Sequence, residues 1–557
     1  MSTAELVLVN GKIRTPAQPS GFAQAAAVGG GGVITRLGRD DEIRELIGPF
    51  TRVVDLRGRL AVPAFGDAHV HPVQGGLESL RCDLSGRHGR AGYLDEVATY
   101  CSVQPQAGWV LGGGWSMPAF PGAAPAAADL DTVTGGRPAF LPSRDHHSAW
   151  VNSAALAVAD VTARTPDPPD GRIERDAAGN PTGALHEGAM RLVAALVPPP
   201  RAAELTAALL AGQRHLHSLG VTSIQDACVG DAGEIAVPDT FAAYQRATAR
   251  RLLTCRVTGA LWWDRRRGLN QLDTLQERRE AADGSGYFRA TSVNLMLDGG
   301  CETFSAAMGS PYLDGQGHDT SHCGSLFIEP LELEEITARL AGLGFQLHFQ
   351  ATGDRAVMVA LDALAGLPEV QRVAGRHHIA NLQFVHPADL ERFTRLGVTG
   401  NFQPLRACRD ERSDRLTLPF VGLQRASWQY RIGTLMRLGS RVAFGSDWPA
   451  SSADPLQELH VAVNRMLSPR LGAPGSPETT SPLLPGEGIG IDAAVDACTR
   501  EVAYLNHEED FAGTLETGKV ADFAVLDQDL YAIAPSAIGD TSVALTIASG
   551  RVVHGDE

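Results

Sequence analysis

The sequence lacks any run of about 20 consecutive apolar residues, the length that a membrane-spanning helix needs. Its first residues, MSTAELVLVNGK, also lack the basic region and apolar run of a secretory signal. We therefore expect neither a membrane protein nor a secreted one, and the cytoplasm is the expected location.

Positive charge is scarce as well. The 48 lysine and arginine residues are outnumbered by 64 aspartate and glutamate residues, which gives a formal net charge of −16. A surface with this excess repels the phosphates of nucleic acids and anionic lipids. We expect a small-molecule substrate, with neither nucleic acid nor a membrane as partner, and a homodimer is the common default for the oligomeric state.

Paired cysteine motifs are also missing. The eight cysteines include no C-x-x-C pair and no spacing typical of a disulfide framework. This distribution favours buried, reduced thiols over disulfides or a zinc ribbon.

What the chain does contain is enough apolar sequence for one large core and a smaller one, with 44% hydrophobic residues in 557. Both ends carry short, strand-like runs, such as AELVLVN near the start and SVALTIASGRVVHGDE at the finish. Neither end is long enough to bury a good core alone. We therefore predict one composite β-sandwich domain built from residues 1–62 and 508–557.

The middle of the chain, residues 63–507, alternates apolar strand-like runs with amphipathic helical stretches such as PLELEEITARLAGLG and RAVMVALDALAGL. This alternation is typical of parallel βαβ units, and a closed (β/α)8 TIM barrel of the α/β class is the simplest fold that contains them. The C-terminal strand ends of such barrels form the active site. A Pro-, Gly- and Ala-rich stretch over about 105–200 is too long for one connection, so we predict an insertion over the barrel mouth.

Two short motifs at opposite ends of the predicted barrel carry ionisable side chains. In GDAHVHP, His69 and His71 lie two apart on a strand and project to the same side, so both can bind one ion. In VAFGSDWP, Asp447 follows the last strand. Alone, the histidine pair could be a chance spacing and Asp447 a helix N-cap. Together they favour a metal or acid/base site.

Several longer motifs resemble the amidohydrolase superfamily, in the branch that contains N-substituted formamide deformylase and D-aminoacylase. The likeness extends nearly end to end and is specific for fold and family rather than for substrate. It rests on GRLAVPAFGDAHVHP (58–72), PSRDHHSAWVNSAAL (142–156), PTGALHEGAM (181–190), LGVTSIQDA (219–227), ATGDRAV (351–357), FVHPADLERF (384–393), GSDWPASSADP (445–455) and GTLETGKVADFAVLD (513–527).

The resemblance implies a hydrolase in which one or two divalent ions activate water and polarise the scissile carbonyl. By position, His69 and His71 match the ligands of the first metal, and Asp447 matches a metal ligand that is also the general base. His147, in DHHSAW, matches a catalytic-pocket histidine, although a hydrogen-bonded loop histidine is the alternative.

The sequence departs from the family pattern at the second metal. Asn294 replaces the usual lysine, and Gln350 and Asn381 replace the usual histidines. Uncharged amides are poor zinc ligands, so we expect at most one divalent metal, with zinc favoured, or none. We predict instead that these three amides line the substrate site, where they would hydrogen-bond a polar group.

A single metal would need a further ligand beyond His69, His71 and Asp447. His348 lies two residues before Gln350 and therefore faces the same side of its strand, which makes it the first choice, with Glu187 as another metal ligand. Glu302 in GGCETF and Trp115 in the insertion are predicted to contact the substrate. The tryptophans of the chain hint at an apolar or aromatic substrate, although tryptophans also serve as core residues.

Three functions remain open on the sequence. The first is hydrolysis of an amide or N-formyl C–N bond with at most one metal and Asp447 as general base. The second is metal-independent acid/base chemistry, such as isomerisation, cyclisation or elimination, in a repurposed amidohydrolase barrel. The third is a catalytically silent ligand-binding protein.

Overall fold

The structure is a computed structural model that describes residues 3–18, 20–233, 237–283, 286–472 and 476–556. Its strands, in chain order, are β1 (Leu6–Val9), β2 (Lys12–Arg14), β3 (Phe22–Ala23), β4 (Ala25–Gly29), β5 (Val33–Gly38), β6 (Arg52–Asp55), β7 (Leu60–Pro63), β8 (Phe65–Val70), β9 (Cys82–Asp83), β10 (Val110–Gly113), β11 (Ala139–Pro142), β12 (Ser148–Val151), β13 (Gly171–Arg175), β14 (Pro181–Glu187), β15 (Val221–Val229), β16 (Arg256–Trp262), β17 (Phe288–Met296), β18 (Gln346–Ala351), β19 (His378–Asn381), β20 (Thr399–Phe402), β21 (Val442–Phe444), β22 (Phe523–Leu526), β23 (Val543–Ala548) and β24 (Arg551–His554).

The α-helices of the same residues are α1 (Asp40–Arg44), α2 (Pro72–Ser79), α3 (Gly89–Val103), α4 (Ala127–Asp131), α5 (Ser153–Val158), α6 (Arg191–Ala194), α7 (Ala202–Ser218), α8 (Phe241–Ala249), α9 (Leu272–Ala282), α10 (Pro330–Gly342), α11 (Asp354–Ala365), α12 (Glu369–Gly375), α13 (Leu390–Leu396), α14 (Leu418–Ala426), α15 (Ile432–Arg437), α16 (Pro455–Asn464), α17 (Pro477–Thr480), α18 (Ile491–Ala497) and α19 (Arg500–Leu505).

Eight parallel strands form the central barrel, in the order β21-β20-β19-β18-β17-β16-β15-β8. Strands β15 and β16 are buried along their whole length, as expected for parallel strands that helices cover on one face and the barrel core fills on the other. The ring closes just beyond β8 and β21, where the Asp447 amide donates to the carbonyl of His69 and the His71 amide donates to the carbonyl of Trp448. The predicted α/β barrel is confirmed, and its closure brings the two ionisable motifs together.

Helix α2 follows His71 directly and packs closely on α7. A Cβ atom added at Gly76 would lie 1.9 Å from the carbonyl oxygen of Ala208, and one at Gly212 would lie 2.3 Å from that of Pro72. Only glycine permits such an approach of two helix backbones. The two glycines therefore fix the position of the helix that leads out of the H-x-H motif.

The two ends of the chain share one β-sandwich, as predicted. One sheet, β5-β4-β1-β6, comes from the N-terminal part, and the other, β24-β23-β22-β7-β2-β3, combines strands of both ends. Strand β7 pairs with β22 in antiparallel register, with Leu60 opposite Leu526. The apolar side chains between the sheets also come from both ends, for example Leu8 and Phe523, because each end supplies only part of a core.

A third sheet, β13-β14-β12-β11-β10-β9, belongs to the insertion over the barrel mouth. Its strands span Cys82–Glu187, so they begin before the boundary at about 105 that the sequence suggested. The domain boundaries near 62, 105, 200 and 508 stay proposals.

Two further features bear on the sequence-based expectations. All eight cysteines are free, and all except Cys323 are buried. Within the described residues, no helix combines the length and the apolar character that crossing a membrane requires.

Candidate functional site

The H-x-H motif and Asp447 meet at the seam where the barrel closes. Nε2 of His69 lies 3.4 Å from Oδ1 of Asp447, and Nε2 of His71 lies 3.3 Å from the same oxygen. One ligand atom from each of the three residues lies within 4.8 Å of the others. The barrel therefore gathers at one point the three residues that the sequence singled out at its two ends.

Backbone and side-chain hydrogen bonds hold this seam together. The Asp67 carboxylate accepts from the amides of His69 and Ser446 and from the Ser446 hydroxyl, at 3.1, 2.9 and 2.5 Å. Asp447 itself adopts a left-handed backbone conformation, with φ 56°. Asp67 thus joins His69 to Ser446, the residue before Asp447, and holds the two strand ends together where the Asp447 carboxylate faces the histidines.

The three side chains fit one divalent cation. Two imidazole nitrogens and a carboxylate oxygen are the ligand types of catalytic zinc sites, which leave a further position open. Nε2 of His69 is buried without a hydrogen-bond partner although it faces the carboxylate. A buried polar atom of this kind is costly unless a ligand satisfies it, so its orientation supports cation binding here.

His348 lies behind His69 rather than within this ligand group. Its Nε2 is 2.8 Å from Nδ1 of His69, the ring nitrogen that does not face Asp447. Burial, reinforced by the neighbouring His378, lowers the pKa of His348 well below its usual range. A neutral His348 can accept a hydrogen bond from Nδ1–H of His69 and so fix the tautomer of His69. Metal-binding histidines are commonly supported by a hydrogen bond of this kind. The structure thus places His348 where it can position His69, outside the group of three ligand atoms, and its role as a direct ligand stays a prediction.

Glu187 likewise serves another partner. Its carboxylate lies 2.9 Å from Nδ1 of His147 and accepts from the hydroxyl of Ser305 at 2.7 Å and from that of Thr303 at 3.1 Å. It is not part of the His69, His71 and Asp447 group. Glu187 as a metal ligand stays a prediction, and in this structure both of its oxygens contact His147.

The pairing with Glu187 changes the charge of His147. Burial alone would lower the pKa of this imidazole, but the carboxylate of Glu187 and the nearby Asp145 raise it to about 9. His147 therefore carries a proton at neutral pH, and it lines the central cavity. Its position agrees with that of the predicted pocket histidine.

Two of the three amides that replace the second-metal ligands, Asn294 and Gln350, are joined by a hydrogen bond. Nδ2 of Asn294 donates to the carbonyl of Ala227 at 2.6 Å and to Oε1 of Gln350 at 2.9 Å. Because a carbonyl can only accept, the Ala227 bond fixes which atom of Asn294 is the donor, and the second bond fixes Gln350 in turn. The Gln350 NH2 group is left as a donor, and Gln350 lines the cavity. Asn381 lines it too, and its Oδ1 is buried without a partner.

Two arginines that sequence reasoning missed complete the site. Nη2 of Arg406 donates to Oδ2 of Asp447 at 3.2 Å, and Arg412 forms a close ion pair with Glu302. Both follow β20 in the run QPLRACRDER. Arginines directly after a barrel strand end could have identified this run as part of the site from the sequence. Glu302 lines the cavity as predicted for a substrate contact, although Arg412 already binds one of its oxygens.

These contacts determine the ionisation of Asp447. Burial raises the pKa of this carboxyl, but the adjacent imidazoles of His69 and His71 and the charge of Arg406 outweigh burial, and the pKa lies well below its usual range. Asp447 is therefore an anion at neutral pH.

The central cavity collects these groups at the C-terminal mouth of the barrel. With its opening to solvent it encloses about 770 Å³, and Trp262 and Met296 add apolar wall. Trp115 does not line this cavity: its ring is fully buried, packs against Phe120 and Trp150, and donates its indole N–H to the carbonyl of Leu141 at 2.7 Å. The residue lines an adjoining cavity that shares Arg406 and Arg412 with the central one, so its expected substrate contact stays a prediction.

The chain is similar to several known proteins over most of its length. A family model described as "Amidohydrolase family" matches residues 52–554. The chain is 28% identical over 539 residues to "Protein LONG AFTER FAR-RED 3" of Arabidopsis thaliana, covering 95% of this chain and 88% of that protein. It is 26% identical over 574 residues to the "N-substituted formamide deformylase" of Arthrobacter pascens, covering 98% and 97%. An uncharacterised metal-dependent hydrolase from Pyrococcus furiosus superposes with a TM-score of 0.70 at 26% identity, over 94% of this chain and 99% of that one.

Proposed function

The chain belongs to the amidohydrolase family, and we propose that it hydrolyses an amide or N-formyl C–N bond of a small molecule with at most one divalent ion. The observation that carries this proposal is the convergence of His69, His71 and Asp447 beside a half-cavity lined by neutral amides.

The ionisable residues support each part of such a reaction. A zinc-like ion held by His69, His71 and Asp447 would supply Lewis acidity for activating water and polarising a carbonyl. The ionised carboxylate of Asp447 accepts the proton that water loses as its oxygen attacks the carbonyl carbon. Asp447 then delivers this proton to the nitrogen as the C–N bond breaks. Arg406, bound to Oδ2, holds the carboxylate in position through both transfers.

The amide half of the cavity supports the choice of bond. Gln350 presents an NH2 donor and Asn381 presents an acceptor oxygen. A secondary amide or formamide offers the complementary pair, a carbonyl oxygen and an N–H. The uncharged side chains of this wall can orient an amide or formamide without a second metal. This role agrees with the loss of that metal's usual ligands.

A second candidate function follows from the same replacements. Because Asn294, Gln350 and Asn381 are uncharged, the site could carry out acid/base chemistry without any metal, with protonated His147 as acid and Asp447 as base. Isomerisation, cyclisation or elimination would use these two groups in this way.

One experiment separates the two functions. The protein is purified without added metal, its metal content is measured by mass spectrometry, and it is assayed against N-formyl and N-acyl amines before and after chelation. We expect close to one equivalent of a divalent metal and hydrolysis that chelation abolishes. Metal-free protein with chelator-resistant turnover of another kind would favour acid/base chemistry.

The Asp447→Asn variant tests the role of the carboxylate within the proposed reaction. We expect its turnover to fall by about 100-fold or more, because the amide cannot take up the proton of the attacking water. Asp414→Asn, at a carboxylate that pairs with Arg409 instead, is the matched control and should turn over as the wild type does. Near wild-type turnover of Asp447→Asn would overturn the assignment and favour a binding protein without catalysis.

A further inference from the structure

Two further cavities adjoin the central one, and they differ in chemistry. The first shares Asp145, Arg406 and Arg412 with the central cavity and continues over Asp410 and Glu411, so its walls are charged. The second shares Gln74 and His146 with the central cavity and has mainly apolar walls. We refer to this second space as the apolar chamber.

The apolar chamber is built by the same elements that position the active site. Leu77 comes from α2, the helix that follows His71, and Leu111 and Phe140 come from β10 and β11 of the insertion. The segment 194–200 closes one side and contains Pro198, Pro199 and Pro200. Because proline fixes its backbone φ, this wall is stiff and resists collapse into the space it borders. The chamber has a cavity volume of about 340 Å³, at the lower end of the range of small-molecule pockets.

A thin layer of side chains separates the chamber from the central cavity. His146 and Gln74 line both spaces, and Nε2 of His146 lies 2.9 Å from Oε1 of Glu78, which lines the chamber. His146, the residue before the cavity histidine His147, has a left-handed backbone conformation with φ 61°. A strained backbone at this point indicates that the direction of the His146 side chain is specifically maintained.

Resting on the proposed amide hydrolysis, we propose that the apolar chamber is a second compartment of the active site, which binds an alkyl or aryl group attached to the scissile amide. The His146–Glu78 pair lies at the boundary between the central cavity and the chamber. The polar and apolar parts of the substrate would join at this point. The charged cavity on the other side is unsuited to that group, since an apolar body there would strip water from arginines and carboxylates without replacing their hydrogen bonds. The chamber instead gains free energy from every apolar surface it removes from water.

Ala195 offers a direct test, because it is exposed and lines the chamber. In Ala195→Trp the added indole would occupy chamber volume without disturbing a core. Leu196→Trp is the matched control, since Leu196 is the adjacent residue, is 46% exposed and does not line the chamber. The probes are N-alkylformamides from N-butylformamide to N-decylformamide, whose Kd is measured by isothermal titration calorimetry with Asp447→Asn added to each protein, so that the probes are bound but not hydrolysed.

In the wild type and in Leu196→Trp, we expect affinity to rise by roughly three- to fourfold for each added methylene, until the chain fills the chamber. In Ala195→Trp this dependence should be lost, with about a tenfold or greater weakening for the long probes and little change for N-butylformamide. Equal length dependence in all three proteins, or none in any, would overturn the proposal.

Parallel assays of hydrolysis keep the two proposals apart. Length-dependent binding that Ala195→Trp removes, without any hydrolysis of the probes, would support the chamber and overturn the proposed hydrolysis of formamides. Hydrolysis that is indifferent to chain length would support the reaction and overturn the chamber.

Discussion

At the scale of single residues, the site depends on side chains whose partners leave them one orientation. Asn294 shows this most clearly. Its NH2 group must donate to the carbonyl of Ala227, and it also donates to Oε1 of Gln350. The NH2 group of Gln350, which lines the cavity, is then left as a donor. A chain of this kind makes the neutral half-site directional although it carries no charge. The identity of each amide therefore matters more than its size.

The Gln350→His variant tests this directionality. The imidazole would restore a usual ligand of the family's second metal, but Asn294 and Asn381 would still supply no charged or nitrogen ligand. We expect no second equivalent of metal by mass spectrometry. We expect kcat/KM to fall by about ten- to 100-fold, since a hydrogen bond to the substrate is lost and a buried amide loses its partner. A gain in hydrolysis together with two bound metals would contradict this account.

The residues of the site differ in how far the sequence could predict them. His69, His71, Asp447, Gln350 and Asn381 could be placed because strand periodicity and the barrel rule decide which side chains reach the mouth. The same reasoning could not decide what each side chain binds. His348 and Glu187 carry the right chemistry for ligands, yet their nearest partners come from other strands and loops. The pairing of such groups depends on distances that only the tertiary structure defines.

At the scale of elements, the predictable parts are those with a strong period. The stretches PLELEEITARLAGLG and RAVMVALDALAGL fold as α10 and α11, because their apolar residues fall on one helical face. The sheet of the insertion has no comparable signal. Strand β9 contains only two residues and β10 only four, and they join the sheet through partners far along the chain. Composition could indicate an insertion there but not its sheet.

The same sheet carries the ion pair between Glu187, at the end of β14, and His147, just before β12. The pairing raises the pKa of His147 from an ordinary 6.5 to about 9 in the folded protein. A raised pKa of a histidine stabilises the fold fully below its unfolded value of 6.5, and this stabilisation is lost as pH rises through about 9. Glu187 stays ionised throughout this range because its own pKa is lowered.

We therefore expect Glu187→Gln to destabilise the protein by about 2 kcal/mol near pH 6, since it leaves the partly buried imidazolium of His147 without its partner. The difference from wild type should shrink as pH rises from about 7 to 10. Urea unfolding at a series of pH values measures it. Glu174→Gln is the matched control, because Glu174 pairs with His186 on the same sheet but is more exposed, and its cost should stay below about 1 kcal/mol. A difference for Glu187→Gln that is constant with pH would contradict the assignment.

At the scale of the whole molecule, the barrel is tied to the sandwich at the end opposite the active site. Strand β16 delivers Trp262 to the central cavity at its C-terminal end and begins at Arg256. The guanidinium of Arg256 donates to Asp522 at 2.5 Å and to Glu508 at 3.1 Å, and both carboxylates belong to the C-terminal part of the chain. All three side chains are nearly buried. One arginine thus joins the barrel floor to the segment that completes the sandwich.

Replacing this arginine tests whether the two units are stabilised as one. In Arg256→Met the side chain keeps much of its volume, but Asp522 and Glu508 lose a shared cation in a buried position. We expect a loss of about 3–5 kcal/mol in the free energy of unfolding, because removing one partner leaves uncompensated buried charge.

Arg289→Met is the matched control: Arg289 contacts the same Glu508 at 2.9 Å, but its side chain is 33% exposed. Its loss should cost no more than about 1 kcal/mol, since solvent reaches the Arg289 guanidinium and screens this contact, and Arg256 still pairs with Glu508. Urea unfolding followed both by circular dichroism and by the fluorescence of the seven tryptophans measures both variants. Because Arg256 lies at the far end of β16 from the cavity, we expect Arg256→Met to keep wild-type kcat/KM at temperatures where it is folded. A fall in kcat/KM without a fall in stability would show that Arg256 acts on the site rather than on the junction between the barrel and the sandwich.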